Sequence, residues 1–183
     1  GAILVSVFIF APNSIEIDFD NIVNEMKPVH NIGRMPDYEL NSEMNSYFTD
    51  ANMTSCRTHD INVTDIHRIF PDFSKDVNDE SSYNFEESDK ILAAIIDAGM
   101  EPFFRFGISW SDPEKSREHL QPPADYEKWA EICEHIILHY NEGWADGFNY
   151  DIQYWEIYNE PDCQPDPTVS NFWQGTPEEF YSL

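Results

Sequence analysis

The stretch Tyr154-Trp155-Glu156-Ile157-Tyr158-Asn159-Glu160-Pro161 gathers residue types that can move a proton. An aromatic and apolar run ends in a carboxylic acid, and Pro161, which has no N–H for a ladder, marks where a strand would leave its sheet. If the strand belongs to a parallel barrel, its exit lies on the face where such folds place their reacting groups. Glu160, walled there by Trp and Tyr rings, would be poorly solvated. Its pKa would then rise into the range in which a carboxyl protonates a leaving oxygen and later takes a proton from water. Asn159 beside it offers an amide to a substrate hydroxyl.

Four more residues fall near strand exits. His59 follows the second strand and precedes Asp60, so it can donate to a substrate hydroxyl while the acid orients its ring; the other reading is a loop histidine satisfied by backbone groups. Arg57 and Arg105 would be costly if buried unpaired, so each needs an acid. For Arg57 the functional pairing is with a catalytic carboxylate; for Arg105 a structural salt bridge within the barrel is expected. Trp110, after the third strand, either stacks on an apolar substrate face or packs its own loop.

Other chemistry finds little support. Of the six histidines, His135 and His139 form an i, i+4 pair, but Ile136 stands where an H-E-x-x-H motif needs Glu and no third ligand is evident. The pair is expected on the solvated flank of its helix. Cys56, Cys133 and Cys163 form no C-x-x-C pair and read as free thiols, Cys133 in the core and Cys163 within reach of solvent. No metal or cofactor is expected.

The elements that must position these residues follow from periodicity. From about residue 28, short apolar runs alternate with amphipathic stretches, as in βαβ units. Strands are expected at Val29 to Gly33, Thr54 to Thr58, Pro102 to Gly107 and Ile152 to Tyr158. Helices are expected from Leu40 to Ala51, from Glu86 to Ala98 with Gly99 as its stop, and from Asp125 to Tyr140. In the last, Trp129, Ile132, Cys133, Ile136, Ile137 and Tyr140 make one continuous stripe. Thr176-Pro177-Glu178-Glu179 reads as a capping box opening a further helix. Asp60 to Tyr83 is expected to be a long, ordered β–α connection rich in aromatics. The sum is an α/β fold, the first four βα units of a (β/α)8 TIM barrel, which at about 250 residues is larger than the 183 present.

Residues 1–27 stand apart as an N-terminal strand segment, expected to belong to an accessory β-sandwich, and residues 28–183 as a truncated N-terminal half of a catalytic barrel. Gly1 to Ala11 is too short to span a bilayer and reads equally as a buried strand or the end of a signal-peptide apolar region. Ile15 to Phe19 alternates apolar and acidic residues like a half-buried strand. Secreted, periplasmic and cytoplasmic locations all stay open, as does the oligomeric state.

With 35 acidic and 10 basic residues the net charge is -25, which repels phosphate backbones and anionic lipid surfaces; neither nucleic acid nor a membrane is expected as a partner. A neutral carbohydrate is compatible. At 41% hydrophobic residues the chain is too apolar to be disordered.

Taken together, Trp155-Glu156-Ile157-Tyr158-Asn159-Glu160-Pro161 resembles the W-E-x-x-N-E-P stretch of glycoside hydrolase family 39, the β-xylosidase and α-L-iduronidase family within a clan of retaining barrel glycosidases. Gly33-Arg34, Arg57-Thr58-His59-Asp60 and Phe172-Trp173 with Thr176 extend the resemblance over roughly residues 29 to 183. It implies that Glu160 is the acid/base, that Asn159 contacts the sugar, and that Arg57 and His59 line the nucleophile and the sugar subsite. It also implies a nucleophilic Glu on a seventh strand, which no residue here matches. Retaining chemistry sets its two carboxyls about 5–5.5 Å apart and inverting chemistry about 6.5–9.5 Å. Glu156 lies about 13 Å from Glu160 along a strand, too deep for either; Asp60, Asp65 and Asp72 lie on a loop, an imprecise place for a nucleophile. The alternative to a glycosidase is a carbohydrate-binding half barrel without hydrolysis.

Overall fold

The computed structural model describes residue 20, residues 30–34 and residues 46–183. The expected N-terminal strand segment and its division from the barrel at residue 27, together with the starts of the first strand at Val29 and of the first helix at Leu40, lie outside the described residues. The accessory β-sandwich is therefore not part of the fold described below.

Four parallel strands form one sheet in the order β1-β2-β3-β4: β1 Asn31–Ile32, β2 Ser55–Arg57, β3 Glu101–Phe106 and β4 Tyr154–Ile157. Each falls inside or within one residue of its expected run. Helices occupy the crossovers. α1 includes residues 46–50, α2 is Ile66–Ile69, α3 is Glu86–Asp97, α4 is Tyr126–Glu142 and α5 is Pro177–Phe180. Parallel strands joined by helical crossovers are the arrangement of the first units of a (β/α)8 barrel.

The helix ends follow from their sequences. Gly99, at φ +76°, takes the left-handed conformation after α3. Its N–H reaches Ile96 O at 2.9 Å and that of Met100 reaches Ile95 O at 3.1 Å, the two bonds of a Schellman motif. Asp125 caps α4 by accepting from Lys128 N at 3.0 Å, and Gly143 stops it at φ +76°, two residues beyond the expected end. At α5 the Thr176 hydroxyl accepts from Glu179 N while the Glu179 carboxylate accepts from Thr176 N at 2.7 Å, the predicted capping box.

The core lies between the sheet and its helices. Cys56, Phe104 and Phe106 point from the strands; Ile91, Leu92 and Ile95 come from α3, and Trp129, Ile132, Cys133, Ile136 and Tyr140 from α4. Phe104 meets Tyr140 at a ring separation of 5.8 Å and Phe106 stacks on Trp155 at 5.4 Å. The α4 stripe is buried as expected, apart from the half-buried Ile137.

Two expectations need correction. His139 does not lie on a solvated flank: it is buried, its ring stacks on Phe85 at 3.5 Å, and its nitrogens face Trp144 O at 2.9 Å and Asp89 Oδ1 at 3.0 Å. An imidazole with two polar partners can join an apolar stripe. The segment between β2 and α3 is ordered, but it is a small helical insert, with α2 between 3-10 turns at Asn62–Thr64 and Glu80–Ser82. Ile61, Ile66, Ile69, Phe70 and Val77 anchor it in the core, and Asp72, Asp76 and Asp79 close its turns by accepting from Ser74, Asn78 and Ser81 N–H groups. Among the described residues no helix is long and apolar enough to cross a membrane.

Candidate active site

Strand register places Arg57 level with Phe103 and Phe103 level with Tyr154, while Arg105 is level with Glu156. Because side chains alternate along a strand, Arg57, Phe103, Arg105, Tyr154 and Glu156 share the face turned away from the helices. The chain then leaves β2 and β4 at Thr58-His59-Asp60 and Tyr158-Asn159-Glu160.

The β4 exit is locally strained. Tyr158 and Glu160 take positive φ values of 58° and 39°, as does Asp60 at the β2 exit with 57°. For non-glycine residues this costs on the order of 1 kcal/mol each and persists only where surroundings hold it. Tyr158 shows what holds the β4 turn. Its N–H bonds to Phe106 O at 2.7 Å, and its buried ring sits against Trp129 and Trp173 at 6.2 and 5.3 Å.

A continuous set of hydrogen bonds joins the two exits. Arg57 Nε and Nη2 grip the Glu156 carboxylate at 2.6 and 2.7 Å. The same Nη2 donates to Asn159 Oδ1 at 2.8 Å, and Asn159 Nδ2 in turn donates to Glu160 Oε2 at 3.3 Å. Asn159 is buried and Glu160 exposed. Arg57 therefore takes Glu156, not Glu160, as its acid. The aromatic wall expected around Glu160 is not formed by Trp155 and Tyr158, whose rings pack into and against the core.

His59 is half-buried, and its Nδ1 is shielded from solvent without a hydrogen-bond partner among the described residues. Burial lowers its pKa, helped by the charges of Arg57 and Arg105, so the ring is neutral at pH 7. Asp60 does not orient it as expected. One Asp60 oxygen accepts from Ser111 N at 3.0 Å and the other lies 3.9 Å from Arg34. Trp110 is 60% exposed at the β3 exit.

Beside the Arg57 set, Arg105 is fully buried. It bonds Asp65 Oδ1 at 2.7 Å and Ser109 Oγ at 3.0 Å, while Asp65 also accepts from Ser109 N at 2.7 Å: the structural salt bridge expected of it. Burial pushes the Asp65 carboxyl up to about 6, against the pull of Arg105. Asp112 is shielded too and is held by His67 Nε2 at 2.6 Å and Arg68 at 2.9 Å. Burial opposes its ionisation, but the Arg68 and Glu114 N–H bonds outweigh that and hold it at about 2. His67, stacked on His119 at 4.1 Å, is pushed down to about 4, chiefly by burial.

Asp65, His67 and Asp112 lie close enough to share a cation, a grouping that sequence spacing did not reveal. Arg105 and Arg68 already neutralise the two carboxylates, and the cluster reads as an ion-pair network that fastens the 109–114 loop to the helical insert. A cleft of about 460 Å³ opens alongside, lined by Phe70, Phe73, Pro122, Trp129 and Tyr158, and neither Asn159 nor Glu160 lines it. The sequence reading did not identify Glu156, Asp65 or Asp112 as partners; the demand of two strand-borne arginines for acids pointed to the first two, and no signal pointed to Asp112, which pairs with His67 and Arg68 of α2.

The parallel α/β sheet, with an Asn-Glu pair where its fourth strand ends, is consistent with the first units of a (β/α)8 barrel. The sequence pattern of glycosyl hydrolases family 39 matches residues 18–183, and the chain belongs to that family. Among solved structures it is similar to the crystal structure of a glucosidase from Croceicoccus marinus, at 29% identity and a TM-score of 0.62. That match covers 76% of this chain and 28% of the glucosidase, so the chain spans well under half the length of its relative.

Proposed function

We propose that the chain supplies the acid/base half of a retaining glycosidase acting on a terminal glycosidic bond of a xyloside or related glycan. The observation that carries this is the Asn159–Glu160 pair: an exposed carboxyl at the exit of β4, touched by the amide of a buried neighbour whose other end is anchored. In the first step Glu160 donates its proton to the glycosidic oxygen as the bond from that oxygen to the anomeric carbon breaks. A second carboxylate attacks that carbon and forms a glycosyl ester. In the second step the Glu160 carboxylate takes a proton from water, whose oxygen displaces the ester. Asn159 contacts the sugar 2-hydroxyl, His59 as a neutral ring serves the sugar subsite, and Trp110 offers an exposed ring for stacking.

The second carboxylate is assigned to a Glu outside these 183 residues. Asp65 and Asp72, loop acids within reach in sequence, are already engaged, by Arg105 and by the Ser74 turn respectively, and Asp60 by Ser111. Arg57 supports the active carboxylates through Asn159 rather than by direct contact with Glu160.

The test is hydrolysis of aryl xylosides and aryl glucosides by the whole protein. Glucosides are included because the structural relative is named a glucosidase. Glu160→Gln is expected to lower kcat by about 10²–10⁴ on substrates with poor leaving groups. Unchanged turnover in that variant refutes the assignment, and sugar binding without turnover by the unaltered protein would favour a carbohydrate-binding role instead.

A further inference from the structure

We infer that Glu156, four residues before the proposed acid/base, is a positioning residue for Glu160, acting through Arg57 and the side-chain amide of Asn159. The inference rests on the reading of Glu160 as acid/base and adds to it a residue that performs no chemistry itself.

An asparagine amide has two ends of opposite character, and a buried one can face its neighbour with either its oxygen or its NH2. The end turned toward Glu160 matters: NH2 donates to the carboxylate, whereas the oxygen would repel it. Arg57 decides the matter by taking the oxygen at 2.8 Å, which leaves Nδ2 directed at Glu160 Oε2. Arg57 can do so only in one orientation. Its Nη2 has two hydrogens, one spent on Glu156 Oε1 and the other on Asn159 Oδ1, and the Nε bond to Glu156 Oε2 fixes the plane of the fork. A guanidinium held at one edge by a two-point carboxylate presents its other Nη2 hydrogen in a fixed direction. Glu156 thereby sets the polarity of Asn159 from two side chains away.

The test substitutes Glu156→Gln in the whole protein, a change that keeps the shape and removes the charge. Two readouts are taken. First, kcat/KM on aryl glycosides of rising leaving-group pKa should fall about tenfold or more, most for the poorest leaving groups, where proton donation matters most. On an Asn159→Ala background the same substitution should cost less than about twofold, because its route is already gone. Equal losses across all leaving groups, or losses that add in the double variant, overturn the inference. Second, the Asn159 side-chain amide resonances are followed by NMR. They should shift and exchange faster in Glu156→Gln, and unchanged resonances overturn the inference even if the protein proves to hydrolyse no glycoside, a result that would count against the acid/base reading alone. If Glu156→Gln does not fold, Arg57→Lys, which keeps the charge but loses the fork, is expected to give the same two results.

Discussion

Arg57 and Arg105 are two arginines on the same face of neighbouring strands, and the fold treats them in opposite ways. Arg105 is sealed from solvent and closed into a set with Asp65 and Ser109. The Arg57 side chain stays 24% exposed, grips an acid that is 27% exposed, and gives its second Nη2 hydrogen to an amide beside the proposed acid/base. Register alone would have paired them otherwise, since Glu156 lies level with Arg105. The difference is that the helical insert after β2 delivers Asp65 to Arg105, which leaves Glu156 to Arg57. A buried pair ties loops together, whereas a half-open pair can aim a group at a substrate.

The comparison can be broken by substitution. Arg105→Leu should cost about 3–5 kcal/mol in urea unfolding of the whole protein, because it strands the buried Asp65 carboxylate. A loss below about 1 kcal/mol would mean that the pair is not sealed in solution. Arg57→Leu should be milder in stability, about 1 kcal/mol for a solvent-screened pair, yet impair turnover at least as much as Glu156→Gln. If it unfolds the protein as readily as Arg105→Leu, the contrast between the two sites fails. Replacing both Arg105 and Asp65 with Leu should restore part of the stability lost in the single variant, since no charge is then left unpaired.

The buried side also has a pH signature. His67 titrates at about 4 when folded, below its ordinary 6.5, so the unfolded chain binds more protons between those values. Stability from this residue is complete above pH 6.5 and is lost as pH falls toward 4. Asp112, held at about 2 against an ordinary 3.8, adds a further loss below about pH 4. Asp65, raised to about 6 in the same network, works the other way as pH falls below 6, so the His67 part is read from the difference between melting curves of the unaltered protein and His67→Gln from pH 7 to pH 4. The variant should lose less stability, and an equal slope would remove His67 as a source. Smallest of all, Trp110→Ala should leave the melting temperature nearly unchanged, within about 0.5 kcal/mol, while raising KM if its exposed ring stacks on sugar.

Much of the frame was legible in the residues. Strand periods located β2, β3 and β4 to within a residue or two, and Gly99, Asp125 and the Thr176 box marked helix ends, because each of these signals acts over a few neighbouring residues. Arg105's need for an acid was legible for the same kind of reason: a charge near a strand end cannot stay unpaired when buried. The partner itself was not, nor was the burial of His139, whose two polar partners come from α3 and from the turn after α4.

The sequence by itself determined the class of fold, the place of Asn159 and Glu160 where β4 ends, and the family, since strand alternation, caps and a proline stop are local. Only the tertiary structure decided which acid each arginine receives. Arg57 and Glu156 are 99 residues apart and Arg105 and Asp65 are 40 apart, and their meeting depends on how the crossovers bring strand exits and the helical insert together. The same packing turned the aromatic rings near Glu160 inward and left its carboxyl open, because those rings gain more by joining the core than by covering an acid.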